Sequence, residues 1–324
     1  MDVVGLGALN LDLIYKVNFD KLKGVKRGLE RKVNFEEFER IKKLLESEGE
    51  FVTKSGGGSA ANTIYALSKM GFSCGFIGKA GEDEEGDFLI EDLSQAGVDT
   101  SRIKREGKSG ICLVLVDDEG ERSIFVLPNI NNDLSLKDID LSYIERAKFF
   151  HNTSFLGEKP FHAQRESILK TSTLVSFDPG EPYIRQGWNT LFPLLKKTYV
   201  LFLTKREIEI LTGIDFKRGA QEILKWGVKV VVCKLGQQGS WIASHEGEWF
   251  ISARKTEALD TTGAGDVYAA GFLAGLLKSM PLFECAKIGT EAAAESVTGF
   301  GRFNYPERDF LSKFLTKKET KSEF

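Results

Sequence analysis

The stretch LDTTGAGDVYAAGFLAGLL (Leu259–Leu277) decides which fold this chain adopts. Two carboxylates, Asp260 and Asp266, bracket Thr261, Thr262, Gly263, Ala264 and Gly265. After Asp266 the stretch carries no proline and no charge, which predicts a buried helix. A glycine-containing turn running into a buried helix leaves backbone N–H groups unpaired, and the positive end of the helix dipole lies beside them. Such a place holds anions. An acid at the entrance of an anion cradle is what phosphoryl transfer to a hydroxyl requires. The same residues also read as an Asp/Thr cap on a core helix whose glycines permit close packing. The rest of the chain has to decide between these.

Working back to the N-terminus, Val3–Leu9 reads as a buried strand. Gly5 and Gly7 do not start a dinucleotide fingerprint, because Asn10 stands where the third glycine would fall and no helix follows. Asn10 and Asp12 are spaced i, i+2 and share one face of an extended segment. At the C-terminal end of that strand they can hold neighbouring hydroxyls, or serve as a turn former and a solvated acid. The segment SGGGSAAN (Ser55–Asn62) then leads into a helix ending at Met70. It is not a phosphate loop of the GK[ST] type. Its glycines, Gly57 and Gly58 among them, permit close backbone approach to a ligand, with Asn62 projecting from the first turns; a flexible connection is the alternative.

The 324 residues are 42% hydrophobic and 28% charged, with a formal net charge of −3. That length supports one large core, and the charge argues against a general nucleic-acid or membrane surface. Four separated cysteines (Cys74, Cys112, Cys233, Cys285) form no CxxC pair, and the three histidines have no ligand spacing. Buried free thiols in a reducing compartment are expected, with no signal peptide or membrane span, hence a cytoplasmic protein.

From Phe72 onward, strand-like and helix-like segments alternate: Phe72–Lys79, Lys148–His151, Leu174–Asp178, Tyr199–Leu203 and Val228–Lys234 as strands, with helices between them. This predicts parallel βαβ units and ligands at the strand C-termini. A hairpin (Ile111–Asp117 and Ser123–Leu127) and the charged stretch Val17–Thr53, with an amphipathic helix at Phe35–Glu46, fit no such unit and are assigned to a small lid. Two strand ends carry further candidates. Glu207, in the first turn after Leu203-Thr-Lys-Arg, either compensates a helix dipole or orients water around magnesium. Lys234-Leu-Gly236-Gln-Gln-Gly239 either approaches a nucleotide or forms a turn into strand Ser240–Ser244.

Taken jointly, these segments resemble the PfkB carbohydrate kinase family, which includes ribokinase, fructokinase, 2-keto-3-deoxygluconate kinase and adenosine kinase. DTTGAGDVYAAGFLAGLL resembles its C-terminal signature, and the stretch from GGGSAAN to GVDTS its N-terminal one. The resemblance covers nearly the whole chain. It implies a ribokinase-like α/β fold: one kinase domain over 1–324, a central mostly parallel sheet flanked by helices, and a β lid drawn from about 12–54 and 103–130. It implies ATP- and Mg2+-dependent phosphorylation of a sugar hydroxymethyl group, the substrate being ribose-, fructose- or sugar-acid-like. Asp266 then acts as base, and the backbone of Gly263, Ala264 and Gly265 as anion hole. Asn10, Asp12, Gly57, Gly58 and Asn62 match sugar-binding positions, and Gly236 and Gly239 the nucleotide loop. Glu207 matches a magnesium-orienting position, through water; Asp260 and Thr262 match a monovalent-cation (K+) site of some members. Thr204 replaces the usual Asn of the Asn-x-x-Glu motif, and Lys234 a frequent Thr of the nucleotide loop. A homodimer through the lid is common in the family. A nucleoside kinase is the nearest alternative, with Phe19, Phe35, Phe38 and Phe125 as candidates to stack a base. A binding protein that has lost catalysis is a further one, against which the intact Asp266 speaks.

Overall fold

A computed structural model describes residues 1–315. In chain order the strands are β1 (Val3–Leu6), β2 (Asn10–Lys16), β3 (Glu30–Lys32), β4 (Glu50–Gly57), β5 (Cys74–Ala80), β6 (Asp99–Arg105) and β7 (Gly110–Val116). They continue with β8 (Arg122–Leu127), β9 (Phe149–Thr153), β10 (Leu174–Asp178), β11 (Thr198–Thr204), β12 (Val230–Lys234), β13 (Gly239–Ser244) and β14 (Gly247–Ser252). Nine form one sheet in the order β14-β13-β12-β11-β10-β9-β1-β5-β6. Its strands are parallel except for the β13–β14 hairpin at one edge.

The central strands β9, β10, β11 and β12 are buried on both faces and rich in Val, Phe and Leu, as parallel sheets require, whereas the edge strands β6 and β14 are partly exposed. Along β11, Val200 and Phe202 point to one helical layer and Leu201 and Leu203 to the other. The first layer contains helices Ser59–Lys69, Ala264–Leu277 and Leu282–Ser296; the second contains Glu158–Lys170, Lys205–Thr212 and Phe216–Lys225. Each fully buried Leu or Phe contributes about 1.5–3 kcal/mol to holding these layers on the sheet. Helix Ala264–Leu277 is apolar all round because it is covered by the sheet and by its helical neighbours. A Cβ on Gly271 would stand 2.8 Å from Gly289 Cα, so the two helices cross at backbone distance.

Five strands form a second sheet, in the order β3-β8-β7-β2-β4. Here the sequence expectation needs correction. Val3–Leu9 is not one strand: β1 ends at Leu6, and Asn10–Lys16 is a separate strand of the second sheet. Backbone crowding and a side-chain clamp cause the break. A Cβ on Gly7 would meet Ala60 Cβ at 2.6 Å, and the Asn131 amide hydrogen-bonds both the N–H and the C=O of Leu9. Asn10 and Asp12 therefore belong to the smaller sheet. Helix Phe35–Glu48 lays Phe38, Ile41 and Leu45 on the outer face of that sheet, against Leu113, Leu115 and Phe125. The inner face, with Ile14, Cys112, Val114 and Val116, looks toward the large sheet.

β6, β14 and helix Leu282–Ser296 had no counterpart in the sequence expectation. All four cysteines are free and buried. Among the described residues no helix is long and apolar enough to cross a membrane.

Candidate active site

Helix Ala264–Leu277 begins at Gly263 in the left-handed conformation (φ +75°), with no side-chain cap. A Cβ on Gly263 would stand 2.6 Å from the Tyr305 hydroxyl, so glycine is required on two grounds. The capping alternative is thus not taken up, since no side chain accepts from the first turn. The N–H groups of Ala264 and Asp266 donate to Thr261 O (3.3 Å) and Gly263 O (2.9 Å), which leaves those of Gly263 and Gly265 without a hydrogen-bond partner among the described residues. Asp260 lies just before the turn and organises it. Its Oδ1 accepts from the Thr262 N–H (2.8 Å) and its Oδ2 from the Gly301 N–H (3.1 Å).

Asp266 sits in the first turn of this helix, opposite the start of helix Ser59–Lys69. The Ser59 hydroxyl donates to Asp266 Oδ1 (2.5 Å) and the Asn62 amide to Oδ2 (2.9 Å). Burial pushes its carboxyl up to about 6; these two hydrogen bonds and Lys234 work against that shift, and Asp178 adds to it. Asn62 is itself fixed. Its Oδ1 accepts from Arg302 Nε (3.1 Å), and Arg302 Nη1 reaches Asp92 Oδ2 (2.5 Å). Arg302 Nη2 is buried without a hydrogen-bond partner among the described residues.

On the smaller sheet, Asn10 Oδ1 accepts from Asn131 Nδ2 (2.9 Å). Asp12 pairs in register with Ser55 and Cys112 and is buried. Burial raises its carboxyl to about 7, opposed by Arg302 and Cys112 and helped by Asp260 and Asp266. Gly57 leaves room for this acid: a Cβ there would stand 2.2 Å from Asp12 Oδ2. Gly58 has φ +98°, and a Cβ there would meet Ala8 O at 2.1 Å. Asn10, Asp12, Gly57, Gly58, Asn62 and Asp266 are therefore brought together where the two sheets meet.

Beyond Asp266 the large sheet presents its C-terminal edge. Thr153, Asp178, Thr204 and Lys234 end β9, β10, β11 and β12 respectively. Lys234 pairs with Asp178, and its Nζ lies 3.2 Å from where a Cβ on Gly265 would be. The side chain thus points away from the turn that follows it, toward the start of helix Ala264–Leu277. Glu207 forms a capping box with Thr204: its Oε2 accepts from the Thr204 N–H (2.7 Å), and Thr204 Oγ1 from the Glu207 N–H (3.2 Å). Threonine at this position is therefore a helix cap, a role Asn also fills. Glu207 remains buried and its carboxyl is raised by burial, with Lys234 opposing and Asp178 adding. Gly236 (φ +58°) and Gly239 (φ +109°) form the tight turn into β13; a Cβ on Gly239 would strike Ile251 O at 1.9 Å, whereas Gly236 faces open space.

Sequence reasoning did not single out Ser59, Asp178 or Arg302. Ser59 and Asp178 had a signal, a hydroxyl directly after the glycines and an acid at a strand C-terminus. Arg302 had none, since it arrives from a segment without periodicity. The four phenylalanines considered for base stacking do not line this site: Phe19, Phe38 and Phe125 pack on the outer face of the smaller sheet, and Phe35 is exposed.

A parallel sheet whose strand ends and two helix N-termini converge on one carboxylate is the framework of a kinase for small hydroxyl compounds. The comparisons with known proteins agree. Residues 36–307 match the model of the pfkB family carbohydrate kinases, so the chain belongs to that family and is a carbohydrate kinase. It is 36% identical over 239 residues to an uncharacterized sugar kinase of Archaeoglobus fulgidus, covering 72% of this chain and 95% of that protein. It is 30% identical over 271 residues to an ATP-dependent ribose-1-phosphate kinase of Halopiger xanaduensis, covering 82% and 88%. Among solved structures, a probable sugar kinase from Rhizobium etli superimposes with a TM-score of 0.87 at 22% identity, covering 96% of this chain and 98% of that one. The fold is ribokinase-like.

Proposed function

We propose that the chain transfers the terminal phosphoryl group of ATP to a hydroxymethyl group of a sugar, with Asp266 accepting the hydroxyl proton. The observation that carries this is the placement of Asp266, held by Ser59 and Asn62 at the open N-terminus of helix Ala264–Leu277. A carboxylate near pH 6 cannot make a free alkoxide. In a loose transition state it needs only to take the proton as the new bond to phosphorus forms. The backbone donors of Gly263 and Gly265 stabilise the charge on the moving phosphoryl, whereas the Ala264 N–H is engaged by Thr261 O (3.3 Å), and Asn10 and Asp12 hold the sugar hydroxyls. The smaller sheet acts as a lid that excludes water as a competing acceptor.

Asp178 and Glu207, two buried carboxylates at the phosphate side, suit Mg2+, which takes one or two carboxylates plus water and phosphate oxygens. Bound there, the ion would neutralise charge on the nucleotide phosphates. Thr262 Oγ1, buried without a partner among the described residues, is an acceptor for K+; Asp260, whose oxygens are both engaged by N–H groups, shapes the loop. Helix Phe35–Glu48 covers the outer face of the lid sheet, which favours a monomer over a lid-to-lid dimer.

A nucleoside acceptor is the second reading. It is favoured by Leu156 and Phe300, half-buried apolar side chains packed against Ile14, Val114 and Val116, whose remaining exposed surface suits a flat base. An ATP-consumption screen over pentoses, sugar phosphates, ketohexoses, sugar acids and nucleosides, with Mg2+ and K+ present, tests both. Turnover of a sugar and of no nucleoside supports the first reading. Turnover of nucleosides alone replaces it with the second.

A further inference from the structure

Lys234 stands where an isolated lysine should not be. Its ammonium lies beside Gly265, at the positive end of helix Ala264–Leu277, where the dipole disfavours a cation. It is mostly buried as well, with 17% of its side chain exposed, so it has lost most of its hydration. Asp178, directly paired to it, compensates for both, and Glu207 and Asp266 act on it from two other sides. A purely structural pair has no need of this position, because apolar side chains of similar size would serve stability as well or better. An anion arriving at the helix N-terminus changes the balance. It would meet the dipole and the ammonium together, two attractions that now oppose each other.

We propose that Lys234 is a phosphate-binding residue of the transfer step, held ready by Asp178, which it exchanges for the terminal phosphates of the nucleotide. The inference rests on the proposed ATP-dependent activity and deepens it at the donor side. Three features of the chain support the exchange. Lys234 ends β12 and Asp178 ends β10, separated by the β11 terminus, so the pair spans a neighbouring strand, and the long lysine side chain can turn from one side to the other without moving backbone. Gly265 has no side chain to block the path between Nζ and the helix N-terminus. Lastly, Asp178, Glu207 and Asp266 outnumber the single ammonium, so these side chains by themselves carry excess negative charge. Release of Asp178 by Lys234 leaves that acid, with Glu207, for the cation that accompanies the nucleotide. Asp178 is thus a positioning residue in the empty state.

Binding of ATP and of AMP in EDTA, measured by calorimetry on the full chain, tests this without turnover or metal. Wild type should bind ATP more tightly than AMP. Lys234→Met should weaken ATP roughly tenfold to a hundredfold, the range for a charge-assisted hydrogen bond, and leave AMP unchanged. Lys234→Arg should keep most of the ATP affinity. Asp178→Asn should tighten ATP, since it frees the ammonium and removes a negative charge. Because Lys234→Met leaves Asp178, Glu207 and Asp266 without their cation, the double variant Lys234→Met/Asp178→Asn, which keeps the net charge of the region unchanged, should show the same ATP defect in a folded protein. Wild-type ATP affinity in both Lys234→Met and the double variant would overturn the proposal while leaving the kinase reading intact. A wild-type chain that binds no ATP, with or without Mg2+, would overturn the ATP-donor reading and this proposal with it.

Discussion

At the residue scale, Asp266 and Asp12 are two carboxylates in one site, both raised by burial but with different consequences. Asp266 must be ionised to accept a proton, so kcat/KM should fall about tenfold per pH unit below about pH 6, the value to which burial raises it. A flat acid limb down to pH 5 would contradict the assignment. Arg302 acts on this limb at one remove. It holds the Asn62 amide, and the Asn62 hydrogen bond lowers the Asp266 value. Arg302→Met should therefore reduce kcat by roughly tenfold through misplacement and move the acid limb to higher pH, with Arg302→Lys partly restoring both. An unmoved limb would make Arg302 a packing residue only. Asp12 affects stability instead. Its value of about 7 in the folded chain against an ordinary 3.8 means that the folded state holds a proton the unfolded chain has released. Stability from this group is thus full below about pH 4 and lost as pH rises through 7. Asp12→Asn should raise Tm at pH 8 and leave it unchanged at pH 4, while weakening sugar binding; a gain confined to acid pH would reverse the sign.

At the scale of elements, the helix starts carry the chemistry. Helix Lys205–Thr212 is closed by the Thr204/Glu207 capping box, whereas helix Ala264–Leu277 is left open at Gly263. One start is closed by side chains, and the other is the anion site that the proposed function requires. Glu207 closes the cap and has a proposed role toward Mg2+, and two substitutions separate the two. Glu207→Gln keeps an acceptor for the cap and should leave Tm near wild type while raising the Mg2+ concentration needed for half-maximal activity. Glu207→Ala should in addition cost about 1 kcal/mol, the usual value of a lost cap. Equal Mg2+ dependence in wild type and Glu207→Gln would remove the metal role.

These elements also show what a sequence discloses. The glycines and acids of Asp260–Asp266 and Ser55–Asn62 announce themselves because close backbone approach, left-handed φ and a helix start all restrict residue type in one short window. The alternation of β and α segments was legible for the same reason: buried parallel strands are continuous apolar runs. Asn10 and Asp12 were recognised as a pair on one face, but the face belongs to the other sheet. The break at Gly7–Leu9 depends on Ala60 and Asn131, far away in sequence. Arg302 was invisible as a site residue, because its importance lies in what it touches; Asp178 carried a signal, an acid at a strand end, but nothing in the sequence paired it with Lys234. The edge strand β6 was hidden by its charge pattern, since only one of its residues, Ile103, is buried.

At the scale of the whole molecule, the two sheets meet at the Asp260–Asp266 loop. Arg122 Nη1 donates to Thr261 O (2.6 Å), and Thr261 Oγ1 donates to Gly120 O (3.2 Å), so the tip of the β7–β8 hairpin rests on the anion loop. This ties lid position to the geometry of Gly263–Asp266. Arg122→Ala should loosen the lid: the KM for the sugar should rise several-fold, and hydrogen exchange should quicken in the hairpin 117–122 with the large sheet unchanged. Exchange that stays as slow as in wild type would mean that the latch holds nothing. The outer face of the lid sheet is already occupied by helix Phe35–Glu48, so both effects should be independent of protein concentration.

The central claim is that Asp266 takes the proton of the acceptor hydroxyl, and Asp266→Asn tests it most directly. Asn keeps the size of the side chain and one oxygen to accept from Ser59 or Asn62, but it cannot take up a proton at neutral pH. With the sugar found in the screen, kcat should fall by two to four orders of magnitude, the usual range for a lost general base, while sugar and ATP affinities stay within about threefold of wild type. Phosphorylation of that sugar by Asp266→Asn at a rate near wild type would contradict the account.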